Sequence, residues 1–246
     1  MASSGTDAII SLAGFRVTST LLATILVDAV ILLLVFGVRR RLAPVPGRLQ
    51  GAAEAVIDYL QTTTEQVAGS RAAKIFPWVA VFFLYIAFSN LVGLLPGFGT
   101  IGFSRGTGFV PLLHVSTSDL NLTLALAVVS VVATNALAIR MTGLGTYLKR
   151  FFALNPLLLF VGLLELLQEA TKFITFSFRL YGNISAGEMV LGTLPTLSTL
   201  VAFVVPVPFL ALEILVAVIQ GMIFALLTMA FMTILTEPHE KEGEHG

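Results

Sequence analysis

The sequence predicts an all-α integral membrane protein with five membrane helices and one amphipathic helix at the membrane interface. Of its 246 residues, 57% are hydrophobic and only 11% are charged, and the mean hydropathy is +0.95. This composition is typical of a chain embedded in lipid rather than of a soluble domain. Because the chain has no cysteine, a disulfide framework and a thiolate metal site are both excluded. No basic stretch precedes an apolar one near the start, so we expect no cleavable signal peptide.

Five apolar segments are long enough to cross a bilayer, because a membrane helix needs about 20 apolar residues. Together they form one membrane domain. They cover residues 17–38, 75–96, 120–139, 151–192 and 197–235.

The stretch 49–73, between the first two segments, alternates apolar and polar residues weakly with a helical period. We interpret it as an amphipathic helix at the interface rather than as a span. Glycine and proline cluster at 44–47, 96–108 and 195–208, which indicates loops or bends. The residues 237–246 are expected to form a polar tail.

Basic residues predict the orientation of the chain. If the helices alternate in direction, only Arg16 and Arg105 fall on one side of the membrane, and a larger basic set falls on the other. Positive charge favours the cytoplasmic side, so we expect the N-terminus outside and the C-terminus in the cytoplasm. The larger set is Arg39, Arg40, Arg41, Arg48, Arg71, Lys74, Arg140, Lys149, Arg150 and Lys241.

The last two segments are too long for a perpendicular crossing. As a continuous helix, 151–192 would extend about 60 Å, against a hydrocarbon core of about 30 Å. Both segments must therefore tilt steeply or bend. If they form an antiparallel hairpin centred near Leu200, residues whose numbers sum to about 400 lie side by side. This register pairs Arg179 with Gln220 and Glu188 with Glu213.

A polar stripe runs along the 151–192 segment with alternating three- and four-residue spacings, which keep its members on one helix face. An arginine at mid-membrane costs about 2.5 to 3.5 kcal/mol on insertion scales and is a functional-site hypothesis by default. The stripe has two interpretations. It is either an internal ion-pair network, such as Glu165 with Lys172, or a water-accessible proton path that ends at Arg179, and the second is favoured. Its members are Glu165, Gln168, Lys172, Thr175, Arg179 and Asn183.

The residues from Arg179 to Glu188, Arg-Leu-Tyr-Gly-Asn-Ile-Ser-Ala-Gly-Glu, resemble a known family signature. They look like R-L-[FY]-G-N-x-x-A-G-E of subunit a of the F-type ATP synthase. The resemblance covers about residues 70 to 235. It extends to Glu165, Lys172, Glu213 and the segments 88–96, 118–123 and 219–228.

This resemblance implies a stationary proton channel beside a rotating ring of c subunits. Arg179 matches the essential arginine that faces the rotor and separates two half channels. The outer half channel is implied for Glu188, Glu213, Gln220, Asp119 and Asn121. The inner one is implied for Glu165, Gln168, Lys172, Thr175 and Asn183.

The implied role of Arg179 suits the chemistry of its side chain. A guanidinium keeps its proton at physiological pH, so Arg179 acts as a fixed charge and not as a relay. A rotor carboxyl must be neutral while it faces lipid. Beside Arg179, an attraction of about 4 kcal/mol at 4 Å and an effective dielectric near 20 favours its ionised form. The rotor acid therefore releases its proton into one half channel and cannot carry it past the arginine.

The resemblance also implies the partners, which are the rotor ring of c subunits, the peripheral stalk b subunits, the rest of the ATP synthase and membrane lipid. We expect no nucleic acid, no cofactor and no metal. The chain has no GxxxxGK[ST] phosphate-binding loop, so we expect a non-catalytic subunit. The expected location is the bacterial plasma membrane, with an organelle inner membrane or a thylakoid membrane as the alternative.

Other interpretations remain open at this point. A secondary transporter would use Arg179 to bind an anionic substrate, although such proteins usually show repeated halves, and the sequence has none. Asp119 either completes a capping box with Ser116 or lines the outer channel. Gly182 and Gly187 would let another backbone approach closely. Asp28 is expected to be buried in the first membrane helix, without an obvious partner.

Overall fold

Helices make up most of the chain that this computed structural model describes. The described residues are 8–12, 15–40, 42–95, 102–105, 108–111, 119–145, 147 and 206–236, with single positions between Leu167 and Thr193. A 3₁₀ turn at Gly69–Arg71 joins the second and third helices. The helices are α1 (Ser19–Arg40), α2 (Arg48–Ala68), α3 (Ala72–Gly93), α4 (Leu120–Thr142) and α5 (Pro206–Leu235).

Four helical segments within the described residues are long and apolar enough to cross a membrane. They are α1, the run from α2 through α3, α4, and α5 from Val207 onward. The prediction of a helical, multi-span membrane protein is thereby confirmed in this coarser form. The predicted segment 151–192 lies largely outside the described residues, but each position described within it is helical. The polar tail 237–246 also lies outside them.

Two short antiparallel hairpins accompany the helices, and the prediction of an all-α fold did not include them. Strand β1 (Ala8–Leu12) pairs with β2 (Phe15–Thr18) directly before α1. Strand β3 (Gly102–Arg105) pairs with β4 (Gly108–Pro111) within a stretch expected to be a loop. Only two residues separate β3 from β4, a length typical of β-hairpin connections. Such strands are too short for a hydropathy pattern to reveal.

Helix α3 is the centre of the packing, because it contacts α5, α2 and α1. It runs antiparallel to α5. The rings of Phe82 and Phe224 lie 5.4 Å apart, and at the other end of the pair Arg71 Nη1 donates to the carbonyl oxygen of Thr233 at 3.0 Å. The core between the two helices is made by Ile75, Val79, Phe83, Ala225, Met229 and Met232.

Helix α4 runs parallel to α5. The hydroxyls of Ser130 and Thr228 share a buried hydrogen bond of 2.9 Å. About one turn earlier on each helix, Ala127 and Phe224 belong to one core cluster. Since α5 is antiparallel to α3, the C-terminal ends of α4 and α5 lie beside the start of α3. The basic residues Arg71 and Arg140 thus lie towards the same end of the bundle.

Helix α2 ends earlier than the predicted amphipathic helix at 49–73. Its buried positions Leu60, Thr64 and Ala68 follow each other at four-residue spacing, and Leu60 packs in the core with α3 and α5. Other apolar side chains, including Ile57 and Tyr59, are exposed. The helix stops at Gly69, whose φ of 55° is a left-handed value that favours glycine.

Candidate functional site

Gln220 lies where α5 meets α3, and its side chain is only 3% exposed. The next residue, Gly221, allows the two helices to approach closely. A Cβ added to Gly221 would lie 3.1 Å from the backbone nitrogen of Ala87 and 3.2 Å from the carbonyl oxygen of Phe83. Both neighbours are backbone atoms and cannot yield as a flexible side chain could. The close approach therefore fixes the depth and direction of Gln220.

The start of α4 lies at the depth of Gln220. Asn121 precedes Ser130 by nine residues, just as Ile219 precedes Thr228. Ser130 and Thr228 are hydrogen-bonded, and both helices rise about 1.5 Å per residue. Asn121 therefore lies at about the same depth as Gln220.

Asp119 caps α4 by itself. Its Oδ1 accepts a hydrogen bond from the backbone nitrogen of Asn121 at 2.8 Å, a common arrangement for an aspartate at the N-cap. The capping alternative is thus confirmed, but the expected Ser116 capping box is wrong, since the helix begins at Leu120 with Asp119 as its cap. Asp119 is half-buried and Asn121 is exposed.

Two buried polar residues of α3 lie at the same depth. Ser89 and Asn90 follow Ala87, the residue against Gly221, by less than one turn, and both are buried. Within the described part of the chain, the Ser89 hydroxyl oxygen is buried without a hydrogen-bond partner. We call this level the polar layer. It comprises Ser89, Asn90, Asp119, Asn121 and Gln220.

Glu213 lies on α5 two turns, about 10 Å, from Gln220 in the N-terminal direction. A Cβ built on Gly187 would overlap the Glu213 carboxylate, so that carboxylate lies directly against the Gly187 backbone. The expected hairpin register places Gly187 and Glu213 side by side, because their residue numbers sum to 400. Among the described residues, Glu213 Oε2 is buried and has no hydrogen-bond partner.

The close neighbour of Gly187 is therefore the Glu213 side chain of the same molecule. Gly182 differs, because no atom lies within 4 Å of an added Cβ and the residue is exposed. Of the two glycines, only Gly182 leaves room for another chain.

Four exposed apolar residues described within the 151–192 segment form a stripe. They are separated by seven, four and eleven positions, each close to a whole number of helical turns, which places them on one face of a helix. Thr175, a predicted inner-path residue, is half-buried and lies at the edge of this stripe. The exposed apolar members are Leu167, Ile174, Phe178 and Met189.

The remaining predicted site residues lie outside the described positions. They include the arginine, so its predicted pairing with Gln220 stays a prediction. These residues are Glu165, Gln168, Lys172, Arg179, Asn183 and Glu188.

The sequence analysis did not predict Ser89 and Asn90 as site residues. A Ser-Asn pair near the end of an apolar segment is the signal that could have identified them. The sequence analysis also missed Gly221, whose importance depends on which helix lies opposite.

In the part of the chain that the structure describes, no group of three or more His, Asp or Glu side chains is placed to hold a metal ion.

Comparison with known proteins identifies the family of the chain. Residues 19–233 match the family described as ATP synthase A chain. The chain is 34% identical over 217 residues to ATP synthase subunit a 1 of Hahella chejuensis, covering 88% of this chain and 81% of the relative. It is 33% identical over 229 residues to ATP synthase subunit a 1 of Syntrophotalea carbinolica, covering 91% and 87%. A third relative, ATP synthase subunit a 3 of Pelobacter propionicus, is 32% identical over 213 residues, covering 85% and 83%. The chain therefore belongs to the ATP synthase subunit a family.

Proposed function

We propose that this chain is the stator proton channel of an F-type ATP synthase. In this role it offers two offset aqueous half channels to the carboxylates of a rotor ring, and Arg179 separates them. Protons that cross through the ring drive its rotation and so ATP synthesis. The partners are the c ring, the b subunits and the rest of the complex. The orientation is N-terminus outside in a bacterial plasma membrane.

The observation that carries the proposal is the placement of Glu213 against Gly187. A buried carboxylate oxygen without a partner among the described residues is a place where a proton or a water molecule binds. The contact brings it to the residue that precedes Glu188 in the sequence. In the expected register Glu188 would therefore lie close to Glu213, so that the outer half channel would draw one carboxylate from each segment.

The polar layer continues this path towards mid-membrane. From Glu213, α5 leads two turns to Gln220, which lies at about the depth of the buried hydroxyl of Ser89. Polar side chains at this depth are costly in lipid and mark ion pathways. In the expected register, Gln220 is the neighbour of Arg179, so the outer path would end at the fixed charge.

The exposed stripe on the 151–192 segment supports a rotor-facing surface. Leu167, Ile174 and Phe178 are each more than half exposed, in a segment whose predicted helix would be long enough to pass along several partner helices. The open space at Gly182 continues the same face. Arg179 directly follows Phe178 in the sequence, so the charge would lie beside the sliding surface.

The transporter alternative rests on Arg179 alone. A transporter of that kind would bind an anion at the arginine and would not require a carboxylate two turns above Gln220. Membership in the ATP synthase subunit a family favours the motor.

The test is ATP-driven acidification of inverted vesicles, normalised to the amount of assembled complex. We expect Arg179→Ala to abolish coupled pumping while the subunit still assembles. Arg179→Lys should also fail, because a compact ammonium cannot reproduce the planar, bidentate guanidinium. If Lys largely restored pumping and Ala chiefly reduced assembly, a structural ion pair would explain Arg179 instead. Substantial coupled pumping by Arg179→Ala would refute the proposal.

A further inference from the structure

The turn between α1 and α2 is held by one buried side chain. Gln50 is only 8% exposed, and its amide bonds both backbone groups of Ala43. Its Oε1 accepts from the Ala43 nitrogen at 3.1 Å, and its Nε2 donates to the Ala43 carbonyl oxygen at 3.0 Å. The same Nε2 donates to Glu54 Oε1 at 2.8 Å. These bonds give the turn a fixed course, because they tie its backbone to the first turn of α2.

Three exposed arginines flank this turn. Arg39 and Arg40 are in the last turn of α1, and Arg48 is the first residue of α2. Arg40 is three residues from Ala43, and Arg48 is two residues from Gln50, so the Gln50 bonds bring the three positive charges to one place. No carboxylate of the described residues forms an ion pair with any of them. The turn therefore has an uncompensated positive charge.

Helix stability explains only part of this charge. Arg39 and Arg40 favour α1, because the C-terminal end of a helix is partially negative. Arg48 is at the opposite end of α2, where a cation is unfavourable and the first turn has no acidic residue. The Arg40 guanidinium lies 4.2 Å from the centre of the Phe36 ring. A guanidinium stacked on a ring keeps the N–H groups at its edge free for oxygen atoms.

Large apolar side chains are exposed beside the arginines. Leu42, Val45 and Leu49 are all more than half exposed, Val45 by 83%. Three such side chains in eight residues suit the boundary between headgroups and acyl chains better than water. Helix α1, which leads to the turn, is itself exposed along most of its length, including Asp28, where burial was expected. The turn therefore presents positive charge and apolar surface together.

We propose that this turn binds the headgroup of an anionic phospholipid. The arginines bind the phosphate oxygens, for which a planar guanidinium provides paired donors. The apolar side chains contact the upper part of the acyl chains of the same lipid. We call this set the arginine turn. It comprises Arg39, Arg40, Leu42, Val45, Arg48 and Leu49.

Charge and apolar surface together select this occupant over three others. A free phosphate ion would leave the three apolar side chains in water. A zwitterionic lipid would bring a cation of its own towards the arginines, and a second copy of the turn would bring three more, so both are repelled. The proposal concerns lipid selectivity. It goes beyond the proposed proton path and requires only that α1 crosses the membrane.

The test is fluorescence quenching in the assembled complex, reconstituted in bilayers of equal parts phosphatidylglycerol and phosphatidylcholine. A genetically encoded fluorescent amino acid replaces Val45. In one set of bilayers the phosphatidylglycerol carries brominated acyl chains, and in the other set the phosphatidylcholine does. Val56 is the matched control position, because it is also exposed on α2 but lies two turns from Arg48.

We expect brominated phosphatidylglycerol to quench the Val45 position about threefold more than brominated phosphatidylcholine, since each basic residue adds to the attraction of an anionic headgroup. The two lipids should quench the Val56 position about equally. Equal quenching at Val45, the same preference at Val56, or no quenching of Val45 by either lipid would overturn the proposal. Inorganic phosphate added at constant ionic strength should not change the preference. If it abolished the preference, the turn would be a site for free phosphate instead.

Four variants separate a defined site from general surface charge. Arg40→Gln and Arg48→Gln should each lower the preference at Val45 towards equality. Arg140→Gln removes an exposed arginine at the end of α4 and should leave the preference unchanged. An equal loss in Arg140→Gln would overturn the proposal.

Gln50→Leu keeps all three charges but removes the bonds to Ala43, so it should also lower the preference. An unchanged preference in this variant would contradict a site formed by the turn. Because proton flow is not measured, these results are independent of the outcome for Arg179.

Discussion

The Glu213 carboxylate lies against the backbone of Gly187, so closely that a Cβ at that position would overlap it. A side chain at 187 would therefore displace the Glu213 carboxylate. The contact holds Glu213 beside the position that precedes Glu188. The absence of a side chain at 187 thus leaves room for the carboxylate of another helix.

Gly187→Ala should obstruct the outer half channel. The added methyl group would displace the Glu213 carboxylate, and a displacement of about 1 Å in a reacting group can lower a rate by orders of magnitude. We expect passive proton conductance, measured in vesicles stripped of the catalytic head, to fall about tenfold or more. Glu213→Asp in the same chain should restore part of it, because the shorter side chain leaves room for the methyl group.

Gly182→Ala is the matched control for that experiment. It is in the same segment, and nothing lies within 4 Å of an added Cβ. Passive conductance should remain within about twofold of the unsubstituted chain. Equal losses for Gly182→Ala and Gly187→Ala would contradict a specific clash with Glu213.

Gly221→Val should separate α5 from α3. The added side chain would meet the backbone at Ala87 and Phe83, so we expect a loss of about 1–3 kcal/mol in unfolding free energy. The single tryptophan, Trp78, lies on α3 next to the Phe82 ring and reports on this packing by its fluorescence during thermal unfolding.

Gly37→Ala serves as the control, because Gly37 lies in α1 with nothing within 4 Å of an added Cβ. Alanine is the better helix former by about 1 kcal/mol, so this change should be neutral or stabilising. A Gly221→Val protein that unfolds at the same temperature as Gly37→Ala would show that the close approach contributes nothing to stability.

The membrane helices were predictable because a long apolar run in lipid has few alternatives to a helix. The predicted span 120–139 differs from α4 (Leu120–Thr142) by three residues at one end, and 75–96 differs from α3 (Ala72–Gly93) by three at each end. The end of α2 was harder to predict. Its break at Gly69 depends on one left-handed glycine, and no hydropathy change accompanies it.

The candidate site was likewise predictable only in part. Polar residues inside apolar helices are visible in the sequence, so Glu213, Gln220 and Asp119 could be selected. Their partners could not, because a contact such as that of Gly221 with Ala87 depends on which helices are neighbours. Asp28 shows the limit most clearly, since its exposure follows from the packing of α1 on α3 and not from its position in the chain.

Arg71→Met should destabilise the end of α5. The Arg71 guanidinium donates to the Thr233 carbonyl and lies 3.5 Å from the Thr236 hydroxyl, which satisfies a carbonyl that a helix end leaves free. Loss of a charged donor typically costs about 1.5–3 kcal/mol. Amide hydrogen exchange over 232–236 should accelerate, while exchange in the middle of α4 stays unchanged. Arg71→Lys should retain part of the protection, and unchanged exchange in Arg71→Met would contradict the capping role.

Glu188→Gln and Glu213→Gln test whether the two acids serve one path. Each change removes an exchangeable carboxyl proton but keeps shape and polarity, so each should lower passive proton conductance in stripped vesicles without reducing the amount of assembled subunit. Because either substitution interrupts the same route, the double variant should lose less than the sum of the two single losses, expressed as free energies. Glu65→Gln, an exposed change on α2, should conduct normally. Strict additivity would indicate two separate routes, and unsubstituted rates in the double variant would remove both acids from the path.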